Sequence, residues 1–208
     1  MNQNNTLERI LICGKDFFLK YTFKSAPLRK IVEAAGVTTG AFYGYFANKE
    51  ELFYALTDTT ANGLMAILNS VANDMNNFPP NEKIFKMCDA YIHRIPEIVD
   101  YLLAHCDEMK LILACSQGTK YENYFNMLQE RNQDNISQSA AIAEKSQQIQ
   151  LLSPDTIELL MSGYFSMLAK LITEETDREK MIRSMTEVAR VYQGGMLALM
   201  QAEADGDD

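Results

Sequence analysis

The chain has 208 residues, is 47% hydrophobic and carries a formal net charge of −9. That length suits one or two domains with a sizeable buried core. No apolar run reaches the roughly 18 residues of a membrane span, and the N-terminal MNQNNTLER has no apolar stretch before a cleavage site, so neither membrane insertion nor secretion is expected.

The chain reads as helix nearly throughout, with no run of alternating β-branched residues. Pro27 suits the first turn of a helix, where its missing N–H has no intrahelical partner. Leu28, Ile31, Val32 and Ala35 recur at helical spacing, while Arg29, Lys30 and Glu33 face away. Gly36 is placed to end that helix in a left-handed conformation, and Val37 to plug the turn. Thr38 then caps a helix of about two turns by accepting a backbone N–H. Phe42 and Phe46, four apart, face inward, leaving Thr38, Thr39, Ala41, Tyr43 and Gly44 for the outer face. Asn48 caps the next helix, and Glu51 completes a capping box. This helix is expected from about Lys49 to Met75 and links two domains, 1–48 and 49–208. Proline and glycine punctuate the rest at Phe78-Pro79-Pro80, Pro96, Gly118 and Ser153-Pro154. Helices are predicted over 81–94, 96–104, 107–117 and 121–149, and the polar tract 132–148 is either an exposed helix or partly disordered. The last two helices are amphipathic. One, 155–174, carries Ile157, Leu160, Met161, Tyr164, Leu168, Leu171 and Ile172, with Ser153 as its cap and Pro154 at its first position. The other, 177–202, carries Met181, Ile182, Met185, Val188, Tyr192, Met196, Leu199 and Met200. Such stripes either pair with a second copy as a four-helix bundle or pack within their own subunit.

The acidic net charge argues at first against a nucleic-acid partner, but its distribution does not. Residues 1–52 hold seven Lys/Arg and five Asp/Glu, a surplus of +2, while the remaining 12 bases and 23 acids leave −11. Binding follows the local field, screened over roughly 8 Å at physiological salt. Cys13, Cys88, Cys106 and Cys115 have no paired spacing and read as free thiols of a reducing cytoplasm. His105-Cys106-Asp107-Glu108 are adjacent on a helix and point in different directions, so no metal site is predicted. There is no phosphate-binding glycine loop, G-x-S-x-G or H-E-x-x-H, so neither enzyme chemistry nor a cofactor is expected.

The order of A-G-V, small residues, Tyr43 and Tyr45, Phe46 and N-K-E-E-L resembles the N-terminal domain of the TetR family of bacterial transcriptional regulators. The matching pieces are ERILICGKDFFLKY, LRKIVEAAGVTTGAFYGYF and NKEELFYAL, about a quarter of the chain. The resemblance implies an all-α protein: a three-helix helix-turn-helix domain followed by a helical-bundle domain for ligand binding and dimerisation. It implies base contacts from Arg29 and a groove-facing set of Thr38, Thr39, Gly40 and Tyr43, with Tyr45 and Lys49 on phosphate. These residue types suit those tasks. It also implies a ligand pocket, for which Met87, Tyr91, Leu102, His105, Met109, Tyr124, Phe125, Met161, Tyr164 and Phe165 are the candidates, Met and aromatics suiting an adaptable apolar cavity. The dimer interface would come from the last two helices, through Ile157, Leu160, Tyr164, Leu168, Met185, Val188, Tyr192 and Met196, with Gly194 and Gly195 allowing close approach. The family pattern is broken at Gly44, at Thr39, at Val32, at Ala26-Pro27 and at Thr22-Phe23, where Gly-Tyr is usual. The expectation is a cytoplasmic, homodimeric, ligand-responsive repressor on a palindromic DNA operator, its effector an unidentified small molecule. An activator of the same fold, or a helical interaction module that binds no DNA, are the alternatives.

Overall fold

The computed structural model describes residues 3–74, 78, 80–128 and 153–201. Among them there is helix and no strand: α1 Gln3–Ser25, α2 Leu28–Ala34, α3 Thr39–Tyr43, α4 Lys49–Asp74, α5 Pro80–Ala104, α6 Cys106–Ala114, α7 Pro154–Glu174 and α8 Arg178–Gln201. Residues 124–128 are also helical. The expected continuation to residue 149, with the polar tract 132–148, lies outside the described residues. No described helix is long and apolar enough to cross a membrane.

The chain forms two compact units. The first takes in the chain up to Gly63 together with His105–Tyr124, so it is larger than a segment ending at residue 48 and discontinuous in sequence. Its core gathers Ile10 and Phe18 of α1, Ile31 and Val32 of α2, Phe42, Leu52 and Phe53, and Met109, Leu111 and Ile112 of α6. Ile10, Gly14 and Phe18 fall every four residues along α1 and form its inner stripe. Gly14 lets α4 come close: a Cβ there would sit 2.9 Å from a methyl carbon of Leu52. Three rings brace the centre, with Phe53 edge-on to Phe18 at 5.3 Å and to Phe23 at 5.2 Å. Each buried large side chain is worth about 1.5–3 kcal/mol, which outweighs the entropy of ordering it. The pair Lys15–Glu108, at 3.0 Å, ties α6 to α1.

The second unit takes in Leu64–Ala104 and the chain from Phe125 onward. α5 packs along α8, and α7 against α8. Ile95, Ile98, Val99 and Leu102 meet a core shared with Leu168, Ile172, Met181, Met185 and Ala189. Arg178 grips Asp100 through two hydrogen bonds of 2.5 and 3.0 Å. Ser153 accepts the Thr156 N–H, with Pro154 opening α7, as the sequence predicts. The expected break at Pro96 does not occur: α5 runs through it. Proline removes one backbone hydrogen bond, but the buried residues on both sides of it hold the helix together. α6 also stops earlier than predicted, at Ala114, and Gly118 turns the chain with φ +86°.

Candidate nucleic-acid interface

The helix-turn-helix is set by its caps and its inward faces. Ile31, Val32 and Ala35 are buried. Gly36, at φ +63°, reverses the chain, its N–H donating to the Glu33 carbonyl while Val37 N–H reaches the Val32 carbonyl. The Thr38 hydroxyl accepts the Ala41 N–H at 3.1 Å. Phe42 and Phe46 are buried, their centroids 5.7 Å apart. With these two inward, α3 turns Thr39, Gly40 and Tyr43 outward, and Tyr43 is 54% exposed. Arg29 and Lys30 on α2 are exposed as well. A Cβ on Gly40 would meet nothing closer than the Thr38 hydroxyl at 4.0 Å, so packing within the chain does not demand a glycine there. The Asn48 side chain accepts the Glu51 N–H at 2.8 Å, and Glu51 in turn accepts the Ala47 N–H at 2.7 Å. α4 therefore begins where the box predicts.

Two of the seven expected contact residues sit differently from an outward side chain. Tyr45 is half-buried. The Lys49 ammonium points into the protein, donating to the carbonyls of Phe23 at 2.7 Å and Ala26 at 3.0 Å, with Lys24 at 3.4 Å. It also lies 4.6 Å above the Phe23 ring. Burial lowers its pKa from the ordinary lysine value.

The residues expected to line a ligand pocket do not fall in one unit. His105, Met109 and Tyr124 belong to the first, and Met87, Tyr91, Leu102, Phe125, Met161, Tyr164 and Phe165 to the second. Met109 is fully buried core, and Tyr124 donates its hydroxyl to the Ala61 carbonyl at 2.9 Å. In the second unit Phe125 stacks on Phe165 at 5.1 Å, and Tyr164 sits edge-on to Phe165 and to Tyr192. Leu102 is buried, Tyr91 and Met161 are half-buried, and the Met87 side chain lies outside the described set.

Two of the eight expected dimer residues turn fully inward. Leu168 and Met185 are buried within the protomer, and Ile157, Leu160, Tyr164, Val188 and Tyr192 are half-buried. The Met196 side chain is outside the described set. Exposed instead are Leu159, at 75%, and Met167 on α7, and Val191, at 71%, on α8. Cβ atoms added at Gly194 and Gly195 would meet nothing within 4 Å. The apolar stripe is wide, and its centre is spent on α5 and on the α7–α8 contact.

Sequence reasoning missed a polar clamp in the first unit. The Tyr121 hydroxyl donates to Asp58 at 2.7 Å, Lys120 pairs with Asp58 at 2.8 Å, and the Lys120 N–H reaches the Tyr54 hydroxyl at 3.1 Å. Tyr54 donates onward to Glu50, and Lys120 lies 4.2 Å over the Tyr54 ring. Burial, then Asp58, pushes the Tyr121 phenol far above its usual range, so it remains a donor. Lys120 and Tyr121 are more than sixty residues from Asp58 and Tyr54, and no local spacing could have announced those contacts.

Residues 16–56 match the family described as bacterial regulatory proteins, tetR family. The chain is 25% identical over 100 residues to the HTH-type transcriptional regulator YerO of Bacillus subtilis, covering 48% of this chain and 35% of that one. It is 28% identical over 83 residues to the HTH-type transcriptional repressor AcnR of Corynebacterium efficiens, covering 36% of this chain and 44% of the relative. The chain thus spans less than half the length of these relatives. Among solved structures it is similar to the TetR-family transcriptional regulator PfmR of Thermus thermophilus, with a TM-score of 0.53 and 19% identity over 91% of this chain and 94% of that one. It is likewise similar to a TetR-family regulator of Syntrophomonas wolfei, with a TM-score of 0.54 and 15% identity over 95% of this chain and all of the other. At these identities the likeness is one of fold, and it covers more than nine-tenths of the chain.

Proposed function

We propose that this chain, which belongs to the TetR family of bacterial transcriptional regulators through its N-terminal domain, represses transcription by binding a palindromic operator as a homodimer and releases it on binding a small molecule. One observation carries the DNA-binding part. α3 turns the buried Phe42 inward, with Phe46 buried just beyond its end, and presents Thr39, Gly40 and Tyr43 outward beside exposed Arg29. A short helix with polar and aromatic groups on its outer face fits the major groove. Thr38 is on the same edge, and its hydroxyl already caps α3, so its methyl group is what remains for a thymine. Tyr45 is offered for phosphate.

Dimerisation is supported by the exposed Leu159, Met167 and Val191 and by the unfilled space at Gly194 and Gly195. A two-fold protein matches a palindromic site. The ligand part is supported by the aromatic group Phe125, Phe165, Tyr164 and Tyr192 in the second unit, which suits an apolar or aromatic effector of the cytoplasm. Release follows if the effector prefers a conformation that binds DNA poorly; a coupling of about 1–3 kcal/mol is usual for such switches.

The test is selection of genomic fragments on purified protein, then fluorescence anisotropy on the enriched site at several salt concentrations. Enrichment of a palindrome bound by one dimer is expected. Absence of any enriched sequence, with no salt-dependent binding, would leave a helical interaction module.

A further inference from the structure

Thr22 is the only described residue other than glycine with a positive φ, at φ 63° and ψ 163°. A side chain in that region is strained and persists only where its surroundings hold it. The surroundings here are explicit. Ala26 N–H donates to the Thr22 carbonyl at 3.0 Å, and Phe23 N–H donates to the Cys115 carbonyl at 2.8 Å. The carbonyls beyond this corner converge on one cation: Lys49 Nζ lies 2.7 Å from the Phe23 oxygen and 3.0 Å from that of Ala26, with the Lys24 oxygen at 3.4 Å. The last carbonyls of α1 have no intrahelical partner, and a lysine ammonium has three N–H groups and no acceptor. The two sets match. The Phe23 ring lies beneath the cation and also packs on Phe18 and Phe53.

We propose that Lys49 is a positioning residue which locks the end of α1 to the start of α4 and so fixes the frame that holds the reading helix, rather than a contact to the DNA backbone. A phosphate reaching Lys49 would have to displace these carbonyls. Lys49 stands at the first residue of α4, and α2 and α3 are the helices between it and the clamped corner, so the clamp closes the loop that carries them. Thr22 supplies the turn that aims the carbonyls inward, and Lys49 supplies the charge that holds the turn against its strain. This rests on the DNA-binding reading, but its structural half stands apart from it.

The experiment compares wild type, K49M, T22G and T22G/K49M by thermal unfolding and by anisotropy on the selected site across salt concentrations. K49M should lower the unfolding midpoint by roughly 5 °C and leave the slope of log affinity against log salt unchanged. T22G should raise the midpoint, and K49M should cost less on that background, because a relaxed corner no longer needs the clamp. T22G/K49M also keeps the slope measurable if K49M alone is too unstable to handle. A slope lower by about one unit on losing Lys49, or an unchanged midpoint, would overturn the proposal. Should wild type bind no DNA, the DNA-binding reading fails, and the midpoint alone decides whether Lys49 anchors the corner.

Discussion

Thr38 shows how one side chain can serve fold and recognition together. Its hydroxyl caps α3, and the residue is exposed beside the outward face of that helix. Thr38→Ala should therefore cost about 1 kcal/mol in urea unfolding, whereas Thr38→Ser should keep stability and lose only the methyl's share of base preference. Equal stability in both variants would show that the cap is idle. Tyr121 poses a separate question. Its phenol is buried and bonded to Asp58, so Tyr121→Phe should destabilise by about 1–2 kcal/mol, measured the same way. Glu108 gives a pH signature. Burial pushes its carboxyl up, but the hydrogen bond from Lys15, a backbone hydrogen bond and the Lys15 charge together outweigh burial and hold it below the usual value. A carboxylate with a depressed folded pKa stabilises above its unfolded pKa of about 4.3 and loses that contribution as pH falls further. The Glu108→Gln variant should therefore differ from wild type at neutral pH and converge on it in acid. A constant difference from pH 7 to 3 would contradict the pairing.

At the scale of elements, the caps and turns were legible and the long-range contacts were not. Gly36, Thr38, Asn48, Glu51 and Ser153 each act within four residues of themselves, and the structure places them where local chemistry predicts, whereas Pro27, expected in the first turn of α2, stands one residue before it as an extended N-cap. Phe42 and Phe46 were readable from helical spacing alone. Pro96 misled because a local rule was overridden by packing: Ile95, Ile98 and Val99 are buried around it. Pro96→Ala should raise stability by about 1–3 kcal/mol by restoring a backbone bond, and an unchanged midpoint would show that the bond is not recovered. The Lys49 anchor and the Asp58–Tyr121 clamp join residues far apart in sequence. The departure from Gly at Thr22 was visible in the sequence, but its meaning required the backbone angle. The apolar stripes of α7 and α8 were read correctly as stripes; which residues are left outermost depends on how α5 covers them.

At the scale of the molecule, the acidic balance and the reading head are compatible because they belong to different parts of the chain. The first unit combines residues up to Gly63 with His105–Tyr124, so a fragment ending near residue 60 would lack Met109, Leu111, Ile112 and Tyr121 from its core. Leu159→Glu with Val191→Glu should convert a dimer to a monomer in sedimentation velocity and weaken operator binding at least tenfold, while the protomer stays folded, since both side chains are already in solvent. A dimer that survives both changes would place the interface elsewhere.

In the proposed function, α3 reads DNA with Thr39 and Tyr43. The direct measurement is the affinity of wild type and of the Thr39→Ala/Tyr43→Ala variant for the selected site and for unrelated duplex of equal length, at one salt concentration. Affinity for the selected site should fall at least tenfold while affinity for unrelated duplex, set by phosphate contacts, stays nearly the same. Equal discrimination by both proteins would mean that α3 does not read the sequence.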